Sequence, residues 1–153
     1  VHTCVVVRLL HCPERNMIQD YLYLFDKTSL NMGLPPITIT EVDAKFAVQQ
    51  PEHDLLSRAF PKVALCCVLD ERGKVMSSSQ FAEKLSGWRD QGAQDVAFII
   101  GGADGLLPEM RANADAKLSF GAMVWPHMLA RVMLCEQLYR AASILAGSPY
   151  HRV

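Results

Sequence analysis

Apolar residues fall along this chain in two rhythms, short unbroken runs and longer stretches at helical spacing, and their alternation predicts the elements. Cys4 to Leu10 (CVVVRLL) is a run of the kind that makes a buried strand. Pro13 and Glu14 open a helix, since proline and an acid both suit a first turn. Ile18, Tyr21, Leu22, Leu24 and Phe25 carry it to about Leu30, and Gly33-Leu34-Pro35-Pro36 ends it. Ile37 to Val42 alternates at period two with β-branched residues, a strand with one wetter face. Ala44 to Gln50 reads as a loop, and Pro51 opens a helix to about Phe60 that Pro61 closes. Val63 to Leu69 is a further apolar strand, followed by a sharp turn at Asp70-Glu71-Arg72-Gly73-Lys74.

In the second half, Ser77 and Gln80 form a capping box for a helix to Asp90. Phe81, Leu85 and Trp88 share one side of it, and Gly92 ends it. Val96 to Ile100 is an unbroken apolar strand that runs into Gly101-Gly102-Ala103-Asp104-Gly105. A short helix from Pro108-Glu109 and a strand at Lys117 to Phe120 come next, then Phe120 to Trp125, Pro126-His127, and a helix to about Ala146 that Gly147 stops. Strands alternating with helices predict an α/β domain with a mostly parallel sheet. Pattern alone makes it doubly wound and unknotted, because knots are nearly absent from proteins.

The final helix is apolar over most of its circumference. At about 100° per residue, Glu136, Gln137, Arg140 and Ser143 form a narrow solvated stripe, with Glu136 and Arg140 as an i,i+4 pair. Most of the remainder is apolar, so the helix is expected to be buried on two sides, one against the sheet and one against a second subunit. His127 and Arg131 lie together, roughly opposite the solvated stripe. A cation at the start of a helix opposes the dipole, which points to an anionic partner such as phosphate. The alternative is an arginine that snorkels from the interface edge or bonds a carbonyl.

Composition narrows the classes. With 153 residues, 50% of them hydrophobic and 20% charged, the chain reads as one globular domain, and its formal charge of −1 carries no bulk signal for nucleic acid. From position 111 to 153, however, five basic residues face two acidic ones. The five cysteines are odd in number and irregularly spaced, which predicts buried free thiols in a reducing cytoplasm. Histidines and cysteines never fall at ligand spacing, so no metal site is expected. No signal peptide or membrane span is read from the chain. Gly101-Gly102-x-x-Gly105 after a buried strand suits a backbone that approaches a ligand closely, and equally suits any tight turn. It is not a dinucleotide fingerprint, and no GK[ST] follows to make a P-loop. The closing Tyr150-His151-Arg152 offers an aromatic, an imidazole and a guanidinium for stacking on a base and gripping phosphate.

Several phrases in one order carry a resemblance. They are Leu69-Asp70 with Gly73-Lys74, Phe81-Ala82 with Trp88, and Ile99-Ile100-Gly101-Gly102-x-x-Gly105-Leu106. They continue with Pro126-His127-x-Leu129-x-Arg131-Val132, Glu136 to Ala141, and Pro149-Tyr150-His151-Arg152. In these the sequence resembles the RlmH family, SPOUT-class methyltransferases that modify a pseudouridine in large-subunit ribosomal RNA. The match is close from about Val68 to Arg152 and extends over the first half only in the order of elements.

The resemblance implies an α/β SPOUT fold over residues 1–153, with a deep C-terminal trefoil knot in place of the unknotted default. It implies a knot and cofactor region of about 68–153, a homodimer, and S-adenosylmethionine bound largely through backbone. The matching cofactor positions are Leu69, Gly101 and Phe120, Gly121, Ala122, Met123, Val124 and Trp125, with Gly102 and Gly105 in the same glycine turn. The implied chemistry is methylation of N3 of the pseudouridine. His127 and His151 are candidate bases, Arg131 or Arg152 a stabiliser of carbonyl or phosphate charge, and Tyr150, His151 and Arg152 complete the site, reaching toward the partner subunit's pocket. Family members carry a lysine-rich loop where Ala44 to Gln50 has one lysine. That suits an enzyme that meets the assembled ribosome, with weak, salt-sensitive binding to isolated RNA. A transfer RNA target and a non-catalytic dimeric ribosome-binding factor are the alternatives.

Overall fold

The computed structural model of the chain describes residues 2–8, 14–42, 65–101, 106 and 108–152. At its centre is β4 (Asp95–Ile100), buried from Val96 to Ile100. On one side of it lie β1 (His2–Arg8) and then β2 (Ile37–Val42), on the other β3 (Leu65–Val75) and then β5 (Ala116–Ser119). Every neighbouring pair in this β2-β1-β4-β3-β5 sheet is parallel. A parallel sheet is covered on both faces, which explains why β4 is an unbroken apolar run rather than an alternating one.

The helices supply the two covers. α1 (Arg15–Ser29), α2 (Ser78–Asp90) and α4 (His127–Leu145) share the main core, where Phe25, Phe81, Leu85, Trp88, Leu134 and Leu138 meet Val96, Phe98 and Ile100. Val68 and Ile99 form a smaller cluster with Leu106 and with Met110 of α3 (Pro108–Asn113). α2 starts on the expected capping box: Ser77 Oγ accepts the Gln80 N–H at 3.2 Å, and Gln80 Oε1 accepts the Ser77 N–H at 2.9 Å. α1 starts at Arg15 with Glu14 as its cap residue, and a 3-10 turn (Leu30–Met32) leads to Gly33 in the left-handed region at φ 66°.

Two expectations are corrected. Asp70 to Lys74 is not a turn after a strand, because β3 continues to Val75 through a bulge between Leu69 and Lys74, both of which pair with Leu118. Gly73 makes this possible, since a methyl there would stand 2.8 Å from backbone carbons of Lys117 and Leu118. Ser143 is not solvated: it is 0% exposed, on a helix along which α1 also packs. The loop read at Ala44 to Gln50, the helix read at Pro51 to Phe60, and Gly102 and Gly105 lie outside the described residues. So does the connection at 102–105 between β4 and α3, and the threading implied by the resemblance is not read from the residues that are described.

Candidate active site

The carboxyl ends of parallel strands are where α/β domains hold ligands. Here a cavity of about 730 Å³ opens at that end, lined by Leu69 to Arg72 of β3, Ile100 at the end of β4 and Gly101 after it, Arg111 of α3, and residues from Phe120 into α4. Its wall contains Leu69, Gly101, Phe120, Gly121, Met123, Val124, Trp125 and His127 from the expected set. Ala122 is exposed in the same loop but does not line the cavity.

Two devices hold this wall. Ser119 Oγ accepts the Gly121 N–H at 3.1 Å and sits 3.0 Å from the carbonyls of Glu71 and Gly121, which ties the loop to the β3 bulge. Gly121 at φ 114° takes a backbone conformation that side chains disfavour. The bulge also presents charge: Asp70 Oδ1 accepts the Arg72 N–H at 2.9 Å, and Asp70 Oδ2 meets the Arg111 guanidinium at 3.4 Å. Asp70 and Arg111 were not expected as site residues; the signal for Asp70 was a charged run directly after a buried strand.

The pair His127 and Arg131 is separated. His127 lines the cavity, whereas Arg131 is 3% exposed and meets Glu14 Oε1 of the same chain at 3.0 Å. The anion that offsets this guanidinium is therefore a carboxylate at the start of α1. Helical spacing gives the direction of Arg131 but not the neighbour that direction meets.

The tail folds back on α4. Tyr150 O–H donates to Glu136 Oε1 at 3.1 Å, its ring lies 4.5 Å from that of Tyr139, and the Arg140 guanidinium stands 4.8 Å from its centroid. Arg140 also donates to Glu136 Oε1, at 2.9 Å from Nε, and its Nη1 lies 3.4 Å from His151 Nδ1. Burial, then the hydrogen bond to Glu136, pushes the Tyr150 phenol up to about 12, and the Arg140 guanidinium is raised by its hydrogen bond to Glu136. The expected solvated stripe is in fact what the tail docks on. Arg152 is exposed. Beside the docked tail is a second cavity of about 460 Å³, bordered by Glu136 and Gln137, which shares Leu118 and Phe120 with the first. Within one chain Tyr150 thus meets Glu136 at the edge of the second cavity, while His127 and most of the described cofactor positions line the first.

Apolar surface surrounds the first cavity's mouth. Met123 and Val124 are 70% and 80% exposed, and Trp125, Met128 and Leu129 continue the patch into α4. Cys66, Cys67 and Cys135 are free, and burial pushes their thiols up to about 11, 12 and 12. Among the described residues there is no cluster of three or more His, Cys, Asp or Glu able to hold a metal ion, and no helix long and apolar enough to cross a membrane.

A family model described as "Predicted SPOUT methyltransferase" matches residues 2–151. The protein of Dinoroseobacter shibae named ribosomal RNA large subunit methyltransferase H is 62% identical over 100% of this chain and 99% of its own length. Its namesake in Ruegeria sp. is 60% identical over the same shares. Among solved structures, a probable methylase family protein from Haemophilus influenzae aligns with a TM-score of 0.57 over 99% of this chain and 70% of that one, at 11% identity, a likeness of fold alone.

Proposed function

The chain belongs to the SPOUT methyltransferase family, and from that premise we propose that it methylates N3 of a pseudouridine in large-subunit ribosomal RNA. In this reading it works as a homodimer on the assembled ribosome, in the cytoplasm, with S-adenosylmethionine as donor. The observation that carries it is the cavity at the ends of β3 and β4, whose wall is drawn from Leu69, Gly101, the 120–125 loop and His127.

The residues fit the cofactor. The cavity volume lies in the range of small-molecule sites. Gly121 keeps a stretch of loop backbone free of side-chain bulk, and Asp70 and Arg111 offer opposite charges to the ammonium and carboxylate of an amino-acid moiety. When bound, S-adenosylmethionine supplies an electrophilic methyl group.

What remains for the protein is to orient the base and to move a proton. N3 is a weakly acidic imide nitrogen and must lose its proton to become a nucleophile. His127, which lines the cavity, is the group assigned to accept it, because an imidazole ring nitrogen can take up a proton. Arg131 is assigned a structural part, holding the start of α4 against α1 through Glu14. The tail and Arg152 are assigned to the RNA in the partner's site, a composite arrangement that the exposed patch at Met123, Val124 and Leu129 supports as a subunit contact. The test is methyl transfer from labelled cofactor to assembled ribosomes, free subunits and transfer RNA in parallel. Incorporation into large-subunit RNA of the ribosome is expected. Incorporation into transfer RNA alone, or none anywhere, overturns the reading.

A further inference from the structure

Glu136 and Arg140 have the i,i+4 spacing of an ordinary surface ion pair, which on a helix contributes little. Their surroundings are not those of a surface pair. Glu136 Oε1 accepts from Arg140 Nε and from the Tyr150 hydroxyl fourteen positions on, at 2.9 and 3.1 Å. Glu136 Oε2 accepts from Gln137 Nε2 at 2.8 Å, and Gln137 Oε1 in turn accepts from Ser78 Oγ of α2 at 2.8 Å. One carboxylate therefore joins the tail, through Gln137, to the start of a helix whose other face is core.

The same network bears on the His151 ring. A guanidinium only donates, so the approach of Arg140 Nη1 to His151 Nδ1 at 3.4 Å is a hydrogen bond in the tautomer whose ring hydrogen is on Nε2. In that tautomer His151 presents a donor, Nε2–H, to whatever it meets.

We propose that Glu136 is a positioning residue that, through Arg140 and Tyr150, docks the tail with His151 held in the tautomer that presents Nε2–H. This rests on the reading above, in which the tail serves the RNA base. There, an N–H donor suits a carbonyl oxygen flanking N3, where negative charge gathers as the N3 proton leaves. Arg140 donates to Glu136 from Nε and Nη2 while its guanidinium stands 4.8 Å from the Tyr150 ring centroid, and the Tyr150 hydroxyl closes the ring of contacts back on Glu136.

The experiment compares the full-length protein with Glu136→Ala, Glu136→Gln and a chain truncated after Pro149, each assayed on assembled ribosomes. Cofactor Kd is measured by calorimetry, and the His151 tautomer by nitrogen-15 NMR of histidine-labelled protein. Glu136→Ala is expected to lower kcat by about 100-fold, the scale of a misplaced catalytic group, with cofactor Kd unchanged. Glu136→Gln, whose amide oxygen still accepts from Tyr150, is expected to lie between it and the parent, and it serves as the folded variant should the alanine change unfold the chain. The parent should show His151 as the Nε2–H tautomer. An Nδ1–H tautomer in the parent, or full turnover in both Glu136 variants while truncation abolishes it, overturns this inference alone. Full turnover after truncation overturns the role of the tail, and this inference with it.

Discussion

Arg131 is paired with Glu14 at 3.0 Å, and both side chains are nearly closed to water. Removing one partner leaves the other charge buried, so Arg131→Ala should cost about 3–5 kcal/mol of stability. Replacing both by apolar residues, Glu14→Leu with Arg131→Met, should recover most of the loss, because the desolvation of both ions disappears together. Thermal unfolding of the three variants reads this directly; an Arg131→Ala protein with unchanged Tm would show that the pair carries nothing. Arg140 has the contrasting surroundings: it is partly exposed and engaged with the tail, so its loss should be felt in turnover rather than in Tm. The sequence marks Arg131 as out of keeping with an apolar helix and reads Arg140 as part of an ordinary solvated stripe. It places Arg131 on the right side of that helix, yet the identity of its anion depended on where α1 begins in space. In the other direction, Glu136 and Arg140 are legible as a pair, and what they hold is fourteen residues away.

Elements with local causes are the ones the sequence made plain. The capping box at Ser77 and Gln80 and the left-handed glycine at Gly33 are set by atoms within a few residues of each other. β3 is the contrary case. Its run of charge with a glycine has the composition of a turn, and it stays in the sheet because β5 pairs with it on both sides of the bulge. Such pairing joins residues about fifty positions apart and leaves no local mark except Gly73. Gly73→Ala should therefore lower stability by about 1–3 kcal/mol, since the obstructing atoms are backbone and cannot rotate away. It should also weaken cofactor binding measured by calorimetry, because Asp70, Glu71 and Arg72 in the cavity wall are carried by this bulge. Unchanged stability would mean that β3 and β5 separate there without cost.

For the molecule as a whole, the exposed apolar patch around Met123, Val124 and Leu129 is the feature a lone chain does not explain. If it is the subunit contact, Leu129→Glu should convert a dimer to a folded monomer by light scattering, with circular dichroism retained and methyl transfer lost; a parent that is itself monomeric refutes this. The sequence by itself determined the α/β class and the order of the described elements, and its family resemblance pointed to Leu69, Gly101 and most of the 120–125 stretch now found in the cavity wall. Apolar runs, helical spacing and glycine turns are one-dimensional properties that the chain carries wherever it folds. Only the tertiary structure decided that Arg131 meets Glu14, that β3 runs on through its bulge, and that the tail docks on Glu136 and Arg140. Those outcomes depend on which surfaces distant segments bring together, and burial then decides which charges must find partners.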